Sequence, residues 1–168
     1  MSLVFIIGGA RSGKSSFALE LSKSKAVAFI ATALPLDDEM KERIEKHKNE
    51  RPPHWKTIEA PEDIIDAIKE IKEEECIIID CLTLWVSNLI EKYSDEYIVK
   101  KAKEIAQYTR SIDKKVIVVS NEVGLGIVPE YPIARRYRDI LGRVNQIFAE
   151  IAQEVYFMVA GIPMEVKK

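Results

Sequence analysis

An apolar run, Leu3-Val4-Phe5-Ile6-Ile7, opens directly into Gly8-Gly9-Ala10-Arg11-Ser12-Gly13-Lys14-Ser15, and this junction constrains the chain more than any other stretch. The eight residues fit G-x-x-x-x-G-K-[ST], in which a buried strand breaks into a glycine loop and a helix follows. Gly8 and Gly13 let the backbone curl around phosphate oxygens, so that amide N–H groups and the helix start face negative charge. In this pattern Lys14 reaches the β- and γ-phosphates and Ser15 ligates Mg²⁺. A glycine turn between strand and helix can be purely structural. Here, however, Phe17, Ala18 and Leu21 continue as an amphipathic helix, and the expected ligand is a nucleoside triphosphate.

The remainder of the chain reads as strands alternating with helices, the mark of parallel βαβ units. Strands are expected near residues 3–7, 26–31, 76–80, 115–120 and 154–160, with helices at 14–24, 37–50, 61–73, 83–92, 95–112 and 132–151. Trp55 to Ile58 and Met164 to Lys167 offer two further short strands. The fold class is therefore α/β, P-loop NTPase-like, a mostly parallel sheet with helices on both faces. No internal repeat or Gly/Ser-rich linker divides the chain, and residues 1–168 read as a single nucleotide-binding domain.

Cys76-Ile77-Ile78-Ile79-Asp80 is a β-branched run closing on a carboxylate, the form of a Walker B strand. Asp80 then holds Mg²⁺, at the sheet edge where ligands bind in such folds; the competing reading makes it an N-cap for the helix near Thr83. Glu122, beyond the strand ending at Ser120, is another carboxyl candidate that a simple turn also explains. Between Asp37 and Pro53 the chain opens acidic and closes basic, as a helix complementing its own dipole does. Arg43, His47 and Arg51 recur every four residues there, with Lys48 beside them, although Pro52 biases Arg51 toward an extended backbone. That cluster can receive a triphosphate, with neutral His47 as a nucleophile, or it can be a solvated face. His54 reads as a turn residue.

Composition narrows the partners. Lys and Arg total 25 against 27 Asp and Glu, so no basic excess marks a nucleic-acid protein, and small molecules are favoured. The five-residue apolar start lacks a basic region and no run approaches the ~20 residues of a membrane span, so no membrane segment and a cytoplasmic location are expected. Cys76 and Cys81 stand apart from any other Cys or His and read as reduced, buried thiols. A guanine-reading N-K-x-D motif is absent; Ser120-Asn121-Glu122 follows a strand instead, which disfavours a nucleotide switch.

GGARSGKS, ERIEKHKNERPPHWKTIEAP from Glu42, IIIDCLTLWVSNLI from Ile77, SNEVGLGIVPEYPIARRYRDILGRVNQIFA from Ser120 and AGIPMEVK from Ala160 together resemble one family over nearly the whole chain. It is the bifunctional adenosylcobinamide kinase and adenosylcobinamide-phosphate guanylyltransferase family of cobalamin biosynthesis. The resemblance implies ATP or GTP as phosphoryl donor, adenosylcobinamide as acceptor, GTP as guanylyl donor and a covalent guanylyl intermediate on His47. It further implies nucleotide contacts at Gly8 through Ser15, at Ala31, Thr32 and Ala33, at Lys48, Asn49, Glu50 and Arg51, and at Glu59 and Asp80. Glu59 is suited to accept hydrogen bonds from a ribose or a guanine edge. A homotrimer is implied as well. Arg135, Arg136, Arg138 and Arg143 lie on an amphipathic helix, where most read as solvated and one or two as partners for a substrate phosphate or a neighbouring subunit. A monofunctional kinase of the same fold would use Lys14 and Asp80 but leave His47 idle.

Overall fold

The computed structural model describes residues 2–22 and 26–168. Its strands form where Val, Ile and Phe cluster, because β-branched and aromatic side chains suit a pleated surface. They are β1 (Leu3–Gly8), β2 (Val27–Ala31), β3 (Lys56–Glu59), β4 (Cys76–Asp80), β5 (Lys115–Asn121), β6 (Glu154–Val159) and β7 (Ile162–Lys167). Among the described residues they make one seven-stranded sheet in the order β3-β2-β4-β5-β1-β6-β7. Every neighbouring pair is parallel except the β6–β7 hairpin. The central strands are apolar at consecutive positions because both faces of the sheet are buried.

The helices are α1 (Lys14–Leu21), α2 (Asp38–Glu50), α3 (Ile64–Lys69), α4 (Leu82–Leu89), α5 (Asp95–Ser111) and α6 (Pro132–Ile151). They share the two faces unequally. On one face Phe5, Ile30, Ile77, Ile79, Val116 and Val118 are sealed by residues of α3 to α6, with Trp85, Ile98, Leu141 and Phe148 fully buried. On the other, Val4, Ile6, Phe29, Ile78, Ile117 and Val119 pack beneath Ala18 and Phe17 of α1. Helix α2 buries none of its residues. The expected helix on each face is present, yet this second face is left partly open, and the opening faces the phosphate loop.

Several boundaries move for local reasons. The helix expected over 61–73 is confined to α3, since Pro61 precedes it and the stretch from Ile71 to Glu75 runs as a non-helical, largely solvated connection. The helix expected over 83–92 ends at Leu89 and continues only as turns. Helix α1 ends at Leu21, and residues 23 and 24 of the expected 14–24 helix lie outside the described residues. The last strand starts at Ile162 rather than Met164, because Ala160 (φ 49°) and Gly161 (φ 82°) form a two-residue turn with both residues left-handed. That geometry matches the twist of a tight hairpin. Gly161 N–H then donates to the Ser12 carbonyl at 2.9 Å, so the hairpin tip braces the phosphate loop.

Gly8, at the end of β1, has no room for a side chain. A Cβ there would lie 2.7 Å from Ser12 Oγ and 2.8 Å from the Met158 carbonyl oxygen of β6. Gly8→Ala is therefore expected to lower unfolding free energy by about 1–3 kcal/mol, the usual cost of overpacking. Chemical denaturation measures it; parental stability in that variant would show that β1 and β6 separate more readily than their packing indicates.

Candidate active site

The loop between β1 and α1 curls because Arg11 (φ 54°) and Gly13 (φ 93°) take left-handed backbone conformations. Lys14 opens α1 and is only 8% exposed. Its ammonium donates to the Gly9 carbonyl and lies 3.4 Å from Ser12 Oγ, so the loop closes over its own cation. Burial lowers the Lys14 pKa, with Asp80 pulling it back up. A desolvated cation beneath a ring of amides is a strong attractor for an anion.

Asp80, the last residue of β4, meets the loop from two strands away in the sheet: Ser15 Oγ donates to its Oδ2 at 3.1 Å. The capping alternative falls, since α4 is capped at Cys81 without any side-chain bond. Burial drives the Asp80 pKa upward, against the Ser15 hydrogen bond and the charges of His47, Lys14 and Arg51. A carboxylate and a hydroxyl side by side are oxygen donors of the kind Mg²⁺ takes, its other positions going to water and phosphate. These residues therefore fit that ion. Thr32 holds Asp80 in place: its Oγ1 accepts from Cys81 N–H at 2.8 Å and donates to the Cys81 carbonyl at 2.7 Å.

The third wall is α2, started by Asp37, whose carboxylate accepts from Met40 N–H at 2.7 Å. Met40, Arg43, Ile44, His47 and Arg51 line a cleft of about 520 Å³ together with Ala10 to Ser15, Phe29, Ala31, Ala33, Glu59, Asp80 and Asn121. That size suits one small-molecule ligand. Arg51 does leave the helix in extended conformation, as Pro52 led us to expect, but it stays in the cleft wall. Its guanidinium folds back to the His47 carbonyl (3.0 Å) and Thr57 Oγ1 (3.0 Å) and stacks 3.9 Å above the Phe29 ring. His47 Nδ1 stands 3.5 Å from Glu50 Oε2 on the same helix.

Most of the residues singled out from the sequence thus converge, and a few do not. Lys48 and Asn49 are exposed and fall outside the cleft lining, because one and two residues beyond His47 a helix has turned roughly 100° and 200° away. Thr32 is fully buried and serves the backbone rather than the cleft. Gly8 and Gly9 shape the loop from behind, and Glu122 caps Gly124 N–H at 2.6 Å, a turn role. Cys76 and Cys81 are buried and form no disulfide, the Cys81 thiol being pushed up to about 12 by burial. Arg136 bonds Asp95 and the Ile90 and Tyr93 carbonyls, while Arg135 and Arg138 bond carbonyls of the segment before α6. Only Arg143 of that group is left as a solvated arginine. Phe29, Asn121 and the His47–Glu50 pair were not foreseen; the i,i+3 spacing of His47 and Glu50 was the available signal.

A parallel sheet with a glycine loop, lysine and serine at β1 and a strand-end aspartate two strands away defines a P-loop nucleotide-binding protein. Solved structures share that architecture. RadB recombinase superposes with a TM-score of 0.54 at 14% identity over 93% of this chain and 73% of its own. A Pyrococcus horikoshii protein gives 0.59 at 7% identity over 99% and 86%. Residues 4–166 match the model of the cobinamide kinase / cobinamide phosphate guanyltransferase family, and the chain belongs to that family. It is 40% identical to the bifunctional adenosylcobalamin biosynthesis protein CobU of Escherichia coli, over 98% of this chain and 99% of that one. It is also 40% identical to the corresponding CobP of Pseudomonas aeruginosa, over 96% and 95%. No helix among the described residues is long and apolar enough to cross a membrane.

The raised pKa of Asp80 has a sign. The folded protein binds this proton more tightly than the unfolded chain, so ionising Asp80 removes stability as pH rises above its ordinary value of 3.8. Without ligands, Asp80→Asn is expected to melt higher than the parent at pH 7, the gap closing as pH falls below that value. Paired melting curves across pH test this; a variant that melts lower at pH 7 would contradict it.

Proposed function

We propose that this enzyme carries out both reactions in its family's description, using the one cleft for two transfers of phosphorus. In the first, the hydroxyl of the aminopropanol arm of adenosylcobinamide attacks the γ-phosphorus of ATP or GTP, forming an O–P bond and releasing the nucleoside diphosphate. In the second, His47 attacks the α-phosphorus of GTP and expels pyrophosphate, and the bound GMP then passes to the phosphate of adenosylcobinamide phosphate, freeing His47. What carries this reading is the shared cleft: the phosphate loop forms one wall and the His47 face of α2 another.

The chemistry follows from the residues. Loop amides and Lys14 offset charge on the triphosphate, which is most of what phosphoryl transfer demands. Ser15 and Asp80 would hold Mg²⁺, whose charge further neutralises the phosphates when it is bound. Glu50 beside Nδ1 favours the tautomer with its proton there and leaves the Nε2 lone pair for attack. Arg51, fixed against Phe29, offers a second cation to the triphosphate, and Glu59 offers acceptors to the ribose or guanine. Passing through a phosphoramidate replaces one encounter between two anions by two easier steps. On the same reading residues 1–168 act as one nucleotide-binding domain, in the cytoplasm, within a homotrimer, the location resting on the sequence composition and the trimer on resemblance to the family.

Incubation with α-labelled GTP and Mg²⁺ is expected to attach acid-labile, alkali-stable label to the protein, as a phosphoramidate requires. His47→Asn is expected to lose that label while γ-phosphoryl transfer to cobinamide persists, and Lys14→Ala to lose both. Undiminished labelling of the His47 variant would move the nucleophile elsewhere. An unlabelled parent with active kinase turnover would leave a kinase alone.

A further inference from the structure

Between β5 and α6 the chain presents an unusual surface. Within residues 123–133, Leu125, Ile127, Val128 and Tyr131 are 80%, 96%, 59% and 69% exposed, and Val123 and Ile133 are exposed beside them. Six exposed apolar side chains within eleven residues of chain are the composition of a binding surface.

The segment is held from beneath. Arg138 donates to the Gly124 carbonyl at 2.7 Å, Arg135 donates to the Pro129 carbonyl at 2.9 Å, and Glu122 accepts from Gly124 N–H. These polar contacts are taken up by the backbone, while the apolar side chains are left to solvent. The surface is also tied to the nucleotide cleft. Asn121, which lines the cleft, is the residue before Glu122, and it pairs in register with Gly8. Glu122 N–H donates to the Gly8 carbonyl at 3.0 Å, so the apolar segment springs from the mouth of the phosphate loop.

We propose that residues 123–133 form the docking surface for the corrin macrocycle of the acceptor, an inference that rests on the function proposed above. A cleft of about 520 Å³ holds one small-molecule ligand, and the nucleotide takes that space. The acceptor's arm reaches in to the terminal phosphate, and its macrocycle stays outside, against whatever flanks the mouth. The corrin rim is rich in methyl groups, which suit Leu125, Ile127 and Val128, and its neutral amide side chains leave the surface little need of charge. The charged residues within the segment's span are Glu130 alone, with Arg135 and Arg138 turned to backbone carbonyls.

The test uses the full chain with the paired substitution Leu125→Ser and Ile127→Ser, and separately Ile127→Leu, which keeps the apolar surface. Kinase turnover of the parent on cobinamide is measured first; its absence would defeat the proposed function and the docking surface with it. Given an active parent, the paired variant is expected to raise the KM for cobinamide at least tenfold. Its labelling by α-labelled GTP, which needs no corrinoid, should be unchanged, as should its mass in solution, and Ile127→Leu should keep the parental KM. A parental KM in the paired variant would overturn the proposal while leaving the function intact. A fall in solution mass would also overturn it, assigning the patch to contact between copies of this chain.

Discussion

At Gly8 the first strand runs so close to Ser12 and to the backbone of β6 that only a hydrogen fits on its α-carbon. The close approach lets β1 sit between β5 and β6 with its carboxyl end bent over into the loop. It sets where Gly9 offers its carbonyl to Lys14 and where Glu122 finds the Gly8 carbonyl. Gly9 itself has open space around its α-carbon, so two adjacent glycines sit in opposite surroundings. One lets protein meet protein; the other turns its carbonyl to the Lys14 ammonium.

The cleft is electrostatically uncomfortable by construction. Lys14 and Arg51 are held below their ordinary pKa by burial and Asp80 above its own, so each charge is desolvated more than its neighbours offset. An arrangement selected only for stability would replace such groups with packed hydrocarbon. On the function proposed above, binding a triphosphate and its metal would relieve a cost already present in the fold, and preorganised charge of this kind is what phosphoryl transfer uses. The cost is spread over elements that support one another: Thr32 and Cys81 lock the β2 and β4 ends, and Arg51 leans on Phe29.

Much of this was legible in the residues. The glycine loop and the strand closing on Asp80 carry their function in fixed local spacing, and the cleft face of α2 follows from helical period alone. What escaped had tertiary causes. Thr32 stands in a row of residues that the family resemblance assigned to nucleotide, yet the Cys81 peptide consumes its hydroxyl, and no spacing rule connects positions so far apart. Lys48 and Asn49 were placed with His47 by the family resemblance, whereas neighbours along a helix point to different faces. The arginines of α6 read as solvated because nothing in the sequence announces the carbonyls that Arg135, Arg136 and Arg138 find across turns and between helices. The short α3 shows propensity yielding to its neighbours: the run from Glu70 to Glu75 is rich in good helix formers, yet the chain leaves the helix at Glu70 and enters β4 at Cys76.

The hairpin tip at Ala160 and Gly161 has a consequence for how the molecule comes into being. The phosphate loop is synthesised well before the strands flanking β1 and the Gly161 amide that reaches Ser12. Until β6 and β7 arrive, the loop has a motif but lacks the Met158 backbone behind Gly8 and the Gly161 amide that meets Ser12. The backing of the phosphate loop is therefore completed late, and the loop waits on segments made long after it.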